Sequence, residues 1–271
     1  MPKGKRLDQL VVERGLIGSR QAARTAIMDG AVLVNGEKLT KPGMNVGESA
    51  IVELVPSYQE RKFVSRGGLK LEKALDRFGI AVEGKICLDI GASTGGFTHC
   101  LLTRRAAFVY AIDCGYGQLD WALRNDARVK VIDRVNARYL TREIYATPPA
   151  TFVCMDVSFI SITKILPALK SMTADALEME LVCLVKPQFE AGRQAVGKGG
   201  VIKSPAVHLQ VLSAVTQACK QLGFSVLDCT HSPIKGRSGN IEFLLHLTTA
   251  AANTNTDAVD LAAVVAGSAE L

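Results

Sequence analysis

The densest run of chemically suggestive residues is Leu88-Asp-Ile-Gly-Ala-Ser-Thr-Gly-Gly-Phe97, where a short apolar stretch breaks into glycines and resumes with residues suited to a helix. Glycines let a backbone approach a ligand closely, and ligands of open α/β sheets bind at the carboxyl ends of the strands. Asp113 closes the next apolar stretch, Val109-Tyr-Ala-Ile-Asp, 22 residues beyond Gly91. A carboxylate there is placed to accept hydrogen bonds from ribose hydroxyls. The glycine spacing is not G-x-G-x-x-G, so a dinucleotide is the poorer match. S-adenosylmethionine (SAM) is favoured, because Asp89 precedes the glycines where a carboxylate suits a cationic methionine portion. The expected cofactor contacts are Asp89, Gly91, Ala92, Ser93, Thr94, Gly95, Gly96, Phe97, Asp113 and Asp156, with Asn136 a candidate on the adenine side.

A second set of charges falls where other apolar stretches end. Asp156 terminates Phe152-Val-Cys-Met-Asp, and Lys186 terminates Leu181-Val-Cys-Leu-Val-Lys. Read as strands, both stretches put these residues on the same sheet edge as the glycine turn. A lysine there is unusual, since a desolvated ammonium is costly without partners. Glu242, in Ser238-Gly-Asn-Ile-Glu-Phe, and Lys70, in Arg66-Gly-Gly-Leu-Lys-Leu, are candidates for the remaining charges. Taken singly, each charge equally fits a structural ion pair.

Positioning these residues calls for a sheet. Apolar strand-like stretches recur at 85–90, 108–113, 129–133, 151–157, 181–186, 223–229 and 242–247. Helical stretches fit between them, clearest at 96–102, 160–169 and 204–222. Continuous apolar strands alternating with helices predict a mostly parallel, doubly wound α/β sheet. The last two strands are too close for a helix between them and are expected to pair antiparallel. Leu69, Leu71, Ala74, Leu75 and Phe78 predict an amphipathic entry helix. The segment 191–203 is glycine-rich and basic, and is expected to be a mobile loop that closes on substrate. From Ala250 the chain is rich in Ala, Thr and Asn and is expected to be mobile.

Residues 1–55 read as a separate small α+β module. A helix beginning near Leu7 stops at Gly15, Ser19 is placed to cap a second helix, and Asn35-Gly36 signals a hairpin. Basic residues crowd the first 25 positions and recur at 61–73 and 193–203, within a net charge of +6. Such clusters suit contact with phosphate, although solvated surface is the simpler reading of any one of them.

No apolar run reaches the roughly 18–20 residues that span a bilayer, and the N-terminus lacks the apolar stretch of a signal peptide. A cytoplasmic protein is expected. The seven cysteines (Cys87, Cys100, Cys114, Cys154, Cys183, Cys219 and Cys229) form no C-x-x-C pair and read as buried free thiols. The four histidines have no H-x-x-x-H spacing, and no metal site is expected.

Two resemblances bear on function. Arg6-Leu-Asp, Gly18-Ser-Arg-Gln-Ala-Ala-Arg-Thr-Ala-Ile, Gly30-Ala-Val-Leu-Val-Asn-Gly and Lys41-Pro-Gly resemble the small RNA-binding domain named after ribosomal small-subunit protein four. That likeness implies that Arg6, Arg20 and Arg24 grip an RNA backbone by charge and shape, with Arg66 a further RNA contact. The Lys70, Asp156, Lys186 and Glu242 set is similar to that of the FtsJ/RrmJ-like ribose 2′-O-methyltransferases. The whole chain resembles the TlyA family of ribosomal RNA methyltransferases, often labelled hemolysins. Further carriers are Ser65-Arg-Gly-Gly-Leu-Lys-Leu, Met155-Asp-Val-Ser-Phe-Ile-Ser, Val185-Lys-Pro-Gln-Phe-Glu and Gly197-Lys-Gly-Gly-Val-Ile-Lys.

The resemblance implies a Rossmann-like seven-stranded fold that uses SAM, with ribosomal RNA or ribosomal subunits as partner. It implies an RNA-binding domain at 1–58, a linker and entry helix at 59–84, a methyltransferase domain at 85–249 and a tail at 250–271. It also gives Lys186 the task of deprotonating or steering a ribose hydroxyl, with Asp156 and Glu242 holding it and Lys70 adding positive charge near the developing alkoxide. A non-catalytic ribosome assembly factor and a membrane-lytic hemolysin are the competing functions. The catalytic set argues against the first, and the lack of a long basic amphipathic helix against the second.

Overall fold

The computed structural model describes residues 4–56, 62–145, 149–172, 178–192, 196–236, 238–251 and 259–271. The chain divides into two compact units, Met1–Lys62 and Phe63–Leu271.

In the first unit, helices α1 (Leu7–Glu13) and α2 (Arg20–Met28) pack over short strands. Strands β1 (Lys5–Arg6) and β4 (Asn45–Val46) form one antiparallel pair, and β2 (Val32–Val34) runs between β3 (Glu37–Lys38) and β5 (Val52–Leu54). Ser19 caps α2 by accepting the Ala22 N–H. The β2–β3 turn places Asn35 and Gly36 at φ of 52° and 82°, the left-handed pair that a two-residue hairpin turn requires. Leu7, Leu10, Val11, Ala23, Ile27 and Val32 form the core of this unit.

The second unit is built on a seven-stranded sheet. Its strands are β6 (Ile86–Ile90), β7 (Phe108–Ile112), β8 (Val129–Ile132), β9 (Phe152–Met155), β10 (Glu180–Val185), β11 (Ser225–His231) and β12 (Phe243–Thr248), in the order β11-β12-β10-β9-β6-β7-β8. All seven expected strands are present. Strands β6 to β10 run parallel, and β12 is antiparallel to both of its neighbours, as the short connection before it required. The order reverses at β6, which lies between β9 and β7, and a crevice opens at such a switch point.

Both faces of the sheet are covered. Leu88, Tyr110, Val153 and Leu245 point into a core shared with α7 (Leu166–Ser171) and α9 (Pro205–Gln221). Cys87, Val109, Phe152 and Leu244 point into a second core with α3 (Gly67–Phe78) and α4 (Gly96–Thr103). Burial on both sides is why these strands read as continuous apolar runs rather than alternating ones. The entry helix α3 is part of this unit, with Leu71, Ala74 and Leu75 buried against α4.

The end of the chain departs from expectation. Residues 252–258 lie outside the described residues, but helix α10 (Leu261–Gly267) follows, capped by Asp260 and packed on α9 and β11. Leu261, Val264 and Val265 share one helical face with the spacing of an amphipathic helix, and Val265 is buried. The alanine-rich composition concealed that stripe. Of the seven cysteines six are buried as expected, while Cys114 is exposed at the carboxyl end of β7.

Candidate active site

Strand β6 ends at Ile90 and the chain turns immediately at Gly91, whose φ is 81°. A Cβ at this position would overlap the carbonyl oxygen of Asp156, so the turn lies against the end of β9 only because the residue is glycine. The N–H groups of Gly91 and Ala92 donate to Ile112 O at 2.8 and 3.1 Å, tying the turn to β7. Ser93 follows at a φ of 47°, and its N–H donates to Asp113 Oδ2 at 2.8 Å. Gly115 N–H donates to Asp113 Oδ1 at 2.7 Å. Each carboxylate oxygen keeps a second lone pair, so a rigidly held Asp113 can still receive hydroxyl donors.

These segments surround a pocket of about 310 Å³ at the carboxyl ends of the strands. Gly91, Ser93, Asp113, Asn136 and Asp156 line it together with the apolar side chains of Ile112 and Val135. Asn136 Oδ1 accepts the Arg138 N–H at 3.1 Å and so fixes the short helical turn beside the pocket. The other expected contacts support the pocket rather than line it. Ala92 and Phe97 are core residues, Thr94 O accepts the Asp120 N–H, and Gly95 packs against Leu119 and Leu123. A Cβ on Gly96 would overlap Ser65 Oγ, a close approach that seats the start of α4 against the start of α3.

Asp89 is also placed differently from expectation. Alternation along β6 turns it away from the pocket and onto the α4 face, where Thr98 Oγ1 donates to its Oδ2 at 2.6 Å. It is wholly buried, and burial lifts its carboxyl to about 7 against the opposing pull of the Thr98 hydrogen bond. Its Oδ1 has no hydrogen-bond partner among the described residues. Asp89 therefore holds the helix that follows the glycine turn.

The four charged candidates do converge. Lys186 Nζ lies 2.6 Å from Asp156 Oδ1 and donates to Ser158 Oγ at 2.9 Å. Lys70, delivered by the second turn of α3, lies 2.5 Å from Glu242 Oε2 and 3.9 Å from Asp156 Oδ2. The order of contacts is Glu242, Lys70, Asp156, Lys186, Ser158. This revises one expected role: Glu242 contacts Lys70, and Lys186 is held by Asp156 and Ser158. The two lysines and Glu242 are buried, so the paired charges work at lower dielectric than they would at the surface. Asp156 belongs to both constellations, lining the pocket while binding Lys186.

An FtsJ-like methyltransferase family model matches residues 63–249, and an S4 domain model matches residues 5–52. The 16S/23S rRNA (cytidine-2′-O)-methyltransferase TlyA of Mycobacterium tuberculosis is 45% identical over 249 residues, which cover 92% of this chain and 91% of that protein. The chain belongs to the FtsJ-like methyltransferases of the TlyA family. Hemolysin A of Brachyspira hyodysenteriae is 46% identical over 241 residues, 89% of this chain and 98% of that one. The solved structure of a hemolysin-named protein from Streptococcus thermophilus superposes with a TM-score of 0.76 at 41% identity, covering 100% of this chain and 97% of its own.

The arginines of the S4 domain are organised by a residue that sequence reasoning left out. Asp8 is completely buried, and Arg6 grips both of its carboxylate oxygens from Nε and Nη2 at 3.0 and 2.9 Å. Arg20 Nε reaches Asp8 Oδ2 at 3.3 Å. The hydrogen bond from Arg6 holds the Asp8 carboxyl below its ordinary range despite burial. Arg24 stands exposed one turn beyond Arg20, and Arg66 is exposed at the start of α3 in the FtsJ-like domain.

Three residues of the FtsJ-like domain were also missed. Ser158 belongs to the quoted Met155-Asp-Val-Ser-Phe word, but a hydroxyl two residues past a strand carries no signal of its own. Phe159 is 90% exposed at a φ of 65°, a strained conformation for a bulky residue, and it lines the mouth of the pocket. Its ring lies 5.1 Å from that of Phe189, which also faces Lys186 Nζ at 6.0 Å. An aromatic residue just after the Asp156 strand end was the available clue.

Proposed function

We propose that this chain is a cytoplasmic enzyme that methylates a ribose 2′-hydroxyl of ribosomal RNA, with SAM as the methyl donor. The observation that carries the reading is the double service of Asp156, which joins a cofactor-sized pocket to the Lys186–Lys70–Glu242 charges. The residues present fit the donor. The Gly91 turn, packed against Asp156, lines the pocket, Asp113 presents fixed acceptors for ribose hydroxyls, and Asn136 with Ile112 and Val135 offers a mixed polar and apolar wall for a base. When bound, SAM supplies a methyl group that is electrophilic because it sits on a sulfonium.

A ribose hydroxyl is a weak nucleophile and must lose its proton as it attacks. At Lys186, Nζ donates to Ser158 Oγ and pairs with Asp156 Oδ1 at 2.6 Å, which holds the amine where it takes the hydroxyl proton or steers the hydroxyl. Asp156, 2.6 Å away, balances the charge of the ammonium. Lys70, fixed by Glu242, contributes positive charge beside the developing alkoxide. Phe159 and Phe189 present aromatic faces on which the base of an unpaired nucleotide stacks. The S4 domain supplies a sequence-independent grip on folded RNA through Arg6, Arg20 and Arg24.

The M. tuberculosis relative is named for both 16S and 23S rRNA and for cytidine, so a cytidine in either subunit is the first target to test. Purified chain incubated with labelled SAM and unmodified ribosomal subunits should place label in RNA. Nuclease digestion should then release it as a ribose-methylated nucleotide. Label in a base would overturn the assigned position, and RNA binding without label would favour an assembly factor.

A further inference from the structure

Asn240 stands two residues before Glu242, is 1% exposed, and bonds through both ends of its side-chain amide. Ile202 N–H donates to its Oδ1 at 2.9 Å, and its Nδ2 donates to Gly200 O at 2.9 Å. A third contact reaches the same stretch, where His208 Nε2 lies 3.2 Å from Ile202 O. His208 is buried, and burial lowers its pKa, so the ring is neutral near pH 7 and can donate that bond. The basic, glycine-rich segment is therefore fastened at 200–202 instead of hanging free, while residues 193–195 of it lie outside the described residues.

The backbone of Asn240 faces the other way. Its carbonyl accepts the Gly236 N–H at 2.8 Å, and a Cβ on Gly236 would overlap Glu242 Oε1. Glu242 O in turn accepts the Ser232 N–H at 2.8 Å. Gly236 thus forms the seat of the carboxylate that holds Lys70, and Asn240 holds that seat. One residue joins the fastened loop to the Glu242–Lys70 pair. The loop leaves this joint at Lys203, which is exposed.

We propose that Asn240 is a positioning residue that registers the glycine-rich loop against Glu242, so that the loop and the Lys70–Glu242 pair take up their working arrangement together. This rests on the reading of the chain as an RNA methyltransferase. The residue type follows from the geometry. Bridging an N–H and a C=O two residues apart needs one acceptor and one donor on a single short side chain, which asparagine carries and aspartate and alanine do not. Losing the amide strands buried backbone groups on the loop, which costs more than the hydrogen bonds themselves contribute.

The test compares the full-length chain with Asn240→Ala and Asn240→Asp. Hydrogen exchange is followed on peptides covering 196–204 and 232–243 without RNA, alongside the SAM dissociation constant and kcat on ribosomal subunits. Asn240→Ala should speed exchange about tenfold or more in both segments together and lower kcat about tenfold or more. SAM affinity should stay within about twofold, because the cofactor pocket lies at the ends of other strands. Asn240→Asp keeps the acceptor for Ile202 and loses the donor to Gly200, so it should fall between, and it carries the same test should the alanine variant not fold. Faster exchange confined to 196–204, or both segments loosened with kcat unchanged, would overturn the proposal. So would a parallel loss of SAM affinity, which marks general destabilisation. Wild-type chain that methylates no RNA counts against the enzymatic reading alone, because joint loosening of the two segments is measured without RNA and decides whether Asn240 couples them.

Discussion

Asp8 in the S4 domain and Asp156 in the FtsJ-like domain each face two cations, yet they use them in opposite ways. Around Asp8 the carboxylate is the buried partner. Its side chain is inaccessible, while those of Arg6 and Arg20 remain 42% and 53% exposed. Around Asp156 the cations are the buried partners: the side chains of Lys186 and Lys70 are 10% and 9% exposed, and Asp156 itself reaches the pocket at 21%. The first arrangement fixes the direction of guanidinium groups that solvent, and a phosphate, can still reach. The second withdraws ammonium groups from solvent, beside the pocket that Asp156 lines. Arginine suits the first because its planar fork holds one carboxylate and still presents donors, and lysine suits the second because its compact amino group on a flexible stem can be drawn in beside a carboxylate.

The sharpest way to break this comparison is to remove the cation from the buried side. Lys186→Ala should reduce the methylation rate by about 10²–10⁴-fold, the range expected when a positioned base is lost. SAM binding should persist, since Gly91, Ser93, Asp113 and Asn136 line the pocket without help from Lys186. Calorimetric titration of the variant with SAM, beside single-turnover methylation, separates the two effects. A variant that methylates at the parent rate would return Lys186 to the status of a structural ion pair.

The S4 side of the comparison permits a test by sign. Asp8→Asn adds one unit of positive charge to an RNA-binding surface, so bulk electrostatics alone would tighten binding. If Asp8 works by aiming Arg6 and Arg20, the variant should instead bind ribosomal RNA about three- to tenfold more weakly, measured by filter binding at fixed salt. Tighter binding would show that the arginines need no aiming.

Much of this was legible in the sequence, for identifiable reasons. The seven strands were readable because a sheet covered on both faces needs unbroken apolar runs, and their ends located Gly91, Asp113, Asp156 and Lys186. What depended on packing between distant elements was not readable. The family resemblance made Glu242 a partner of Lys186, whereas its partner in the structure, Lys70, is 172 residues away and arrives on α3. Asp89 appeared to face the cofactor, yet a single step of strand alternation turned it beneath α4 to meet Thr98. Asp8 was part of a recognised word but gave no sign of its burial, which arises only when α1 and α2 close over it.

Glu180 provides an intermediate case, at the opposite ends of the strands from the pocket. It too faces two partners, Lys85 Nζ at 2.9 Å and His246 Nε2 at 3.1 Å, with its own side chain 29% exposed. The ring of His246 is in turn stacked on Phe78, with centroids 5.0 Å apart. The hydrogen bond to His246, with help from Lys85, lowers the Glu180 carboxyl to about 2. A carboxyl lowered in the folded state contributes stability that is fully present above its unfolded value, near 4.5, and is lost as pH falls towards the folded value. Allowing for solvent screening of a partly exposed group, the contribution is about 1–2 kcal/mol. Glu180→Gln should therefore cost about that much at pH 6 and almost nothing near pH 2, flattening the stability profile between about pH 5 and 2. Urea unfolding of the two proteins across that interval measures the difference. Equal slopes would mean that Glu180 gains nothing from the partners around it.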